Sequence, residues 1–129
     1  MEAVARKSHS DEMVRVALKA FGNIAAQWKL SVAEAAELAD MSESTWKRAR
    51  KPGYTGSVTK DQMLRISATV GIYKSLKLYF GDPIADEWVR LPNQGPVFYG
   101  QRPIDTLIQD GLPQFLRVRN YLDALRGGA

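Results

Sequence analysis

The sequence predicts an all-α protein, and three observations carry that expectation. Apolar residues recur at helical spacing through the first half, capping-box patterns open helices at two places, and no β alternation of useful length occurs. Over residues 12–28, Met13, Ala17, Ala20, Ile24 and Trp28 form one stripe and Val14, Leu18, Phe21 and Ala25 a second, which predicts a helix buried on two sides. Ser31-Val32-Ala33-Glu34 is a capping box, in which the serine hydroxyl and the glutamate carboxylate each satisfy a free backbone N–H, and a short helix through residue 39 follows. Ser42 is an N-cap for a helix over residues 43–51, which Pro52-Gly53 ends.

Thr59-Lys60-Asp61-Gln62 is the second capping box and opens a longer helix to about residue 79, with Gly71 as a candidate interruption. Beyond Phe80 the chain is punctuated by glycine and proline, and the remaining helices are expected over residues 103–109, with proline at the first position, and 113–125, stopped by Gly127-Gly128. A domain boundary is placed between residues 77 and 78. The first unit, 1–77, is a helix-turn-helix bundle, and the second, 78–129, is a small helical subdomain.

A chain of 129 residues with 45% hydrophobic content can bury one core or two small units sharing one. The absence of cysteine excludes disulfide frameworks, thiolate zinc sites and cysteine nucleophiles. With neither a leader-like N-terminus nor an apolar run of bilayer length, the expected location is cytoplasmic and no membrane partner is expected. A formal net charge of +4 permits a polyanionic partner, provided the charge is concentrated on one surface.

Two short helices joined by Asp40-Met41 have the sequence shape of a helix-turn-helix. Ala35, Ala36 and Ala39 are small enough for close helix crossing, and Leu38 and Met41 can anchor the pair. The second helix offers Ser42, Ser44, Thr45, Lys47 and Arg48, with Arg50 and Lys51 continuing the basic run, as candidates to hold phosphates and read base edges. Trp46 is expected in the core, since one isolated aromatic makes no stacking platform. Most of Trp88, Leu91, Pro92, Phe98, Ile104, Leu107 and Ile108 are expected to be buried as the core of a small helical subdomain. In the last helix Phe115, Val118, Leu122 and Leu125 fall on one seam with Tyr121 beside it, while Arg117, Arg119 and Asn120 lie elsewhere around it.

Catalytic chemistry finds little support. The single histidine, His9, is placed in a polar N-terminal tail, no metal-ligand spacing exists, and neither glycine-rich phosphate fingerprint is present. Asp82, Asp86 and Glu87 are accounted for by capping and solvation. No catalytic residue, metal or cofactor is therefore assigned.

The order Ala36-x-x-Ala39-x-x-Ser42-x-x-Thr45 resembles Xre-type repressors, with Asp40 standing where that family commonly has glycine. The order Trp88, Pro92-Asn93, Phe98, Gly100, Pro103 and Leu107 resembles the C-terminal half of the Xre/MbcA/ParS antitoxins, which silence RES-type toxins. The resemblance implies an antitoxin that binds a cognate RES-type toxin, forms a homodimer within a toxin–antitoxin hetero-oligomer, and represses its own operon by binding operator DNA. It further implies that Arg126, Gly127 and Gly128 enter the toxin's NAD-binding cleft, with Arg117, Arg119, Asn120 and Tyr121 as supporting contacts. The alternatives are a helix-turn-helix repressor whose C-terminal region only dimerises, with no toxin partner, and an adaptor whose helix-turn-helix never touches DNA.

Overall fold

The computed structural model describes residues 2–127, with side chains described from residue 11 onward. Among the described residues the architecture is all-α, with helices α1 (Glu2–Gln27), α2 (Val32–Leu38), α3 (Glu43–Ala49), α4 (Lys60–Tyr79), α5 (Ile84–Glu87), α6 (Pro103–Asp110) and α7 (Leu112–Arg126). A 3₁₀ turn, Trp88–Arg90, extends α5.

Helix starts follow the predicted chemistry. Ser31 and Glu34 exchange hydrogen bonds at 3.0 and 2.9 Å, and Thr59 and Gln62 do the same at 3.0 and 2.9 Å, so both capping boxes close. The Ser42 hydroxyl accepts from the Thr45 N–H at 3.1 Å. Helix ends are equally specific. After α2, the Met41 N–H donates to the Ala36 carbonyl and the Asp40 N–H to the Glu37 carbonyl, a Schellman arrangement that requires a left-handed residue between them. Asp40 supplies it with φ +59°. Lys29 plays the same part after α1, with φ +56°.

Several expectations need correction. Helix α1 begins at Glu2, so the backbone at His9 is helical and not part of a tail, while the histidine side chain lies outside the described residues. The two-sided burial predicted for α1 holds from Leu18 onward, but Met13 is 57% exposed. Gly71 does not interrupt α4, which runs unbroken from Lys60 to Tyr79. Helix α3 stops at Ala49, two residues before the predicted end, and α5 with its 3₁₀ extension occupies a glycine- and proline-punctuated stretch in which no helix was expected.

Helix α4 holds the molecule together. It packs along α1 on one side and, more extensively, along α7 on the other, burying Ile66, Ile72 and Leu76 completely. The expected boundary at residues 77/78 falls in its last turn. The N-terminal core gathers Leu18, Phe21, Trp28, Leu38 and Trp46, with the Phe21 and Trp46 rings edge to face at 5.2 Å. Trp46 is thus a core residue, as its isolation in the sequence suggested. On the other side of α4 the rings of Phe80, Trp88, Phe98 and Tyr121 run in sequence, with centroids 6.4, 5.3 and 5.4 Å apart, beside buried Val89, Ile104, Leu107, Phe115, Val118 and Leu122.

Candidate functional site: two interaction faces on one scaffold

The first face is the solvent side of α3. Ser42, Ser44, Lys47, Arg48, Arg50 and Lys51 are exposed and Thr45 is half-buried. The Ser42 hydroxyl donates to Thr45 Oγ1 at 2.8 Å and lies 3.3 Å from Ser44 Oγ, so these hydroxyls form a cluster at the helix start. Arg48 reaches back to Thr45 Oγ1 at 3.4 Å. The turn before α3 is braced from below, because Gln62 Nε2 donates to the Asp40 carbonyl at 2.9 Å. One residue therefore closes the capping box of α4 and fixes the left-handed turn that aims α3.

The second face is built by the segment between the 3₁₀ turn and α6, together with α7. Asn93 organises that segment. Its N–H donates to the Gln101 carbonyl at 3.1 Å, its carbonyl accepts from Gly100 at 2.9 Å, and its side-chain oxygen accepts from the Gly95 N–H at 2.7 Å. Gly100 takes φ +81°, a conformation that closes the turn and that a side chain would strain. Between them Phe98 points inward with no exposed surface, and Tyr99, also left-handed at φ +52°, points outward with 85% of its surface exposed. Most of the resemblance motif is thus architectural: Trp88, Phe98, Pro103 and Leu107 are buried, and Asn93 and Gly100 shape the turn, whereas Pro92 is exposed. Leu91 was expected in the core, yet it is 52% exposed, because the chain leaves the 3₁₀ turn in an extended conformation that carries this side chain outward. Ile108 is half-buried.

The residues singled out on α7 divide into two groups. Arg117 and Asn120 are exposed, with Arg117 donating to Gln114 Oε1 at 3.3 Å. Tyr121 is half-buried, edge-on to Phe98 with its hydroxyl against Gly95. Arg119 was expected away from the packed seam, but its guanidinium lies across Gly71 of α4, where any Cβ would collide with it. Its Nε is buried without a hydrogen-bond partner. The helical spacing could not show this, since the notch that admits Arg119 belongs to another helix. Arg126 ends α7 and is exposed, and Gly127 caps the helix, its N–H donating to the Asp123 carbonyl at 2.9 Å. Gly128 lies outside the described residues.

An ion-pair network that the sequence did not reveal ties α2 to the segment that builds the second face. Arg102 grips Asp105 with two hydrogen bonds of 2.8 and 2.7 Å and reaches Glu34 of α2 at 3.4 Å, while Arg90 stands 3.6 Å from the same Glu34 and donates to the Lys29 carbonyl at 3.3 Å. Burial alone would raise the Glu34 pKa, but the Ser31 N–H and the two guanidiniums outweigh it and hold the carboxyl below its ordinary range. Asp105 is held low chiefly by its hydrogen bonds to Arg102. Among the described residues no cluster of histidine and carboxylate side chains could hold a metal, and no helix is long and apolar enough to cross a membrane.

A helix-turn-helix presenting a basic helix, extended by a helical half that carries its own turn-and-helix face, defines a two-part binding protein. The chain belongs to the Xre/MbcA/ParS antitoxin family. Residues 9–67 match the antitoxin Xre-like helix-turn-helix domain, and residues 75–128 match the antitoxin Xre/MbcA/ParS C-terminal toxin-binding domain. Neither is a family of enzymes. A relative from Sinorhizobium fredii, the uncharacterized protein y4oB, is 37% identical over 131 residues, covering 98% of each chain. No solved structure matches the chain. The expectation of a helix-turn-helix antitoxin is therefore met at the level of family, with toxin binding and DNA binding as its general functions.

Proposed function

We propose that this antitoxin neutralises a RES-type, NAD-consuming toxin by lodging the end of α7 in the toxin's active site, and that it represses its own operon through α3. The observation that carries the proposal is the placement of Arg126. It stands exposed on the final turn of a helix whose Phe115, Val118 and Leu122 are buried against the rest of the fold, so a cation is held out from a rigid arm. A guanidinium suits a pocket that normally receives a charged, hydrogen-bonding cofactor, and the following glycine adds no side chain to obstruct entry. Exposed Arg117 and Asn120 on the same helix are proposed as flanking contacts, whereas Arg119 and Tyr121 support the surface from within. The chain is further proposed to act as a homodimer within the toxin–antitoxin complex.

The test is a titration of NAD turnover by the partner toxin with wild-type chain, Arg126→Ala, and a chain ending at Leu125. Both variants should still bind the toxin while leaving its turnover largely uninhibited. Full inhibition by the truncated chain would defeat the plug.

A further inference from the structure

Beside the helix-turn-helix, and separate from the α7 arm, lies a groove of about 690 Å³ between α1, the start of α2 and the segment that follows α3. Its existence follows from small side chains: Gly22 and Ala26 form one wall and Ala49 and Gly53 part of the other, so the flanking segments leave a trench unfilled. Its accessible apolar lining comes from half-buried Leu30, Val32 and Tyr54, with Leu18 and Trp46 almost wholly buried beneath. The cations Arg15, Lys19, Arg50 and Lys51 also line it, and no carboxylate does. An apolar trough bordered by four cations, with no carboxylate among its described lining residues, is complementary to a molecule with a hydrocarbon body and an anionic head.

We propose that this groove binds a small amphipathic anion of the fatty-acid kind, with its chain along Leu30 and Val32 and its carboxylate among Lys19, Arg50 and Lys51. The volume favours a small molecule over a macromolecular segment, because small-ligand sites span roughly 300–1,000 Å³. Duplex DNA would meet the cations but has no hydrocarbon body to fill the floor. Since Arg50 and Lys51 also belong to the face proposed for DNA, an occupied groove competes with phosphate for these charges, and the ligand acts as an effector that weakens operator binding. The site itself requires neither DNA nor toxin.

Isothermal titration of the full chain with dodecanoate, below its micelle concentration, tests the site. One molecule should bind per chain with a dissociation constant of about 10 µM, and dodecylammonium should bind at least about tenfold more weakly. Ala26→Leu fills the trench from an exposed position and Lys19→Gln removes a border charge, and each should weaken dodecanoate binding about tenfold while the circular dichroism spectrum stays unchanged. The proposal is overturned by absence of binding below about 1 mM. It is equally overturned by equal affinity for dodecylammonium, or by either variant binding dodecanoate as tightly as wild type.

Discussion

Arg102 and Glu34, sixty-eight positions apart, meet at 3.4 Å and tie the toxin-binding half to the first helix of the helix-turn-helix. The pairing is partly exposed, so its contribution is screened by solvent, but its sign is fixed by the carboxyl groups. Glu34 and Asp105 are both held below their ordinary values, hence their stabilisation is fully present above the unfolded-state carboxylate range and is lost as pH falls through the lower folded-state values.

The thermal midpoint should therefore fall as pH drops from about 5 toward 3. Glu34→Gln should flatten part of that fall, because glutamine can keep the capping box while removing the charge. Melting curves at stepped pH check this, and an unchanged pH profile for the variant would show that the network contributes nothing.

Asp40 occupies the left-handed position of the turn between α2 and α3. Asp40→Val should destabilise the fold by about 2 kcal/mol, since a β-branched residue resists φ near +59°, whereas Asp40→Gly should be neutral or gain up to about 1 kcal/mol. Urea denaturation distinguishes the two. Equal stabilities would mean that the turn relaxes to another conformation.

Phe98 and Tyr99 are neighbours with opposite surroundings. Truncating the buried ring in Phe98→Ala should cost about 3–5 kcal/mol, and truncating the exposed one in Tyr99→Ala less than about 0.5 kcal/mol. The same denaturation experiment reads both. A large loss from Tyr99→Ala would place that ring against the fold and not in solvent.

Lys47 and Arg48 stand exposed on α3. If they contact backbone phosphates, Lys47→Ala and Arg48→Ala should each weaken operator binding and reduce the slope of log affinity against log salt by about 1. Electrophoretic shifts across a salt series test this, and an unaltered slope would remove the residue from the contact set.

Much of the architecture was legible because its determinants are local. Ser31, Ser42 and Thr59 announce their helices within four residues, and Asp40 could be assigned its turn from the tolerance of aspartate for left-handed backbone. Helix α5 was missed because its four residues carry neither a side-chain cap nor a full turn of apolar periodicity. The Glu34–Arg90–Arg102–Asp105 network was illegible because Glu34 has a sufficient local role in its capping box, and nothing in the order of residues brings Arg90 and Arg102 to it. The groove beside α1 was hidden for a related reason. The room left by Gly22, Ala26 and Ala49 arises only where the elements bearing them face one another.

Helix α4 lends its two long sides to different neighbours, so there is no point in this polypeptide where a cut would leave each piece with a sealed interior. Exchange of halves between relatives must pass through the middle of that helix and preserve its rotational phase, because a slip of one residue turns Ile66 or Ile72 by about 100° relative to its intended partner. Hybrids joined in phase should inherit DNA preference from one parent and toxin preference from the other. Those joined in the linker after Tyr79 would pair an α7 with a foreign helix never shaped to receive its arginine.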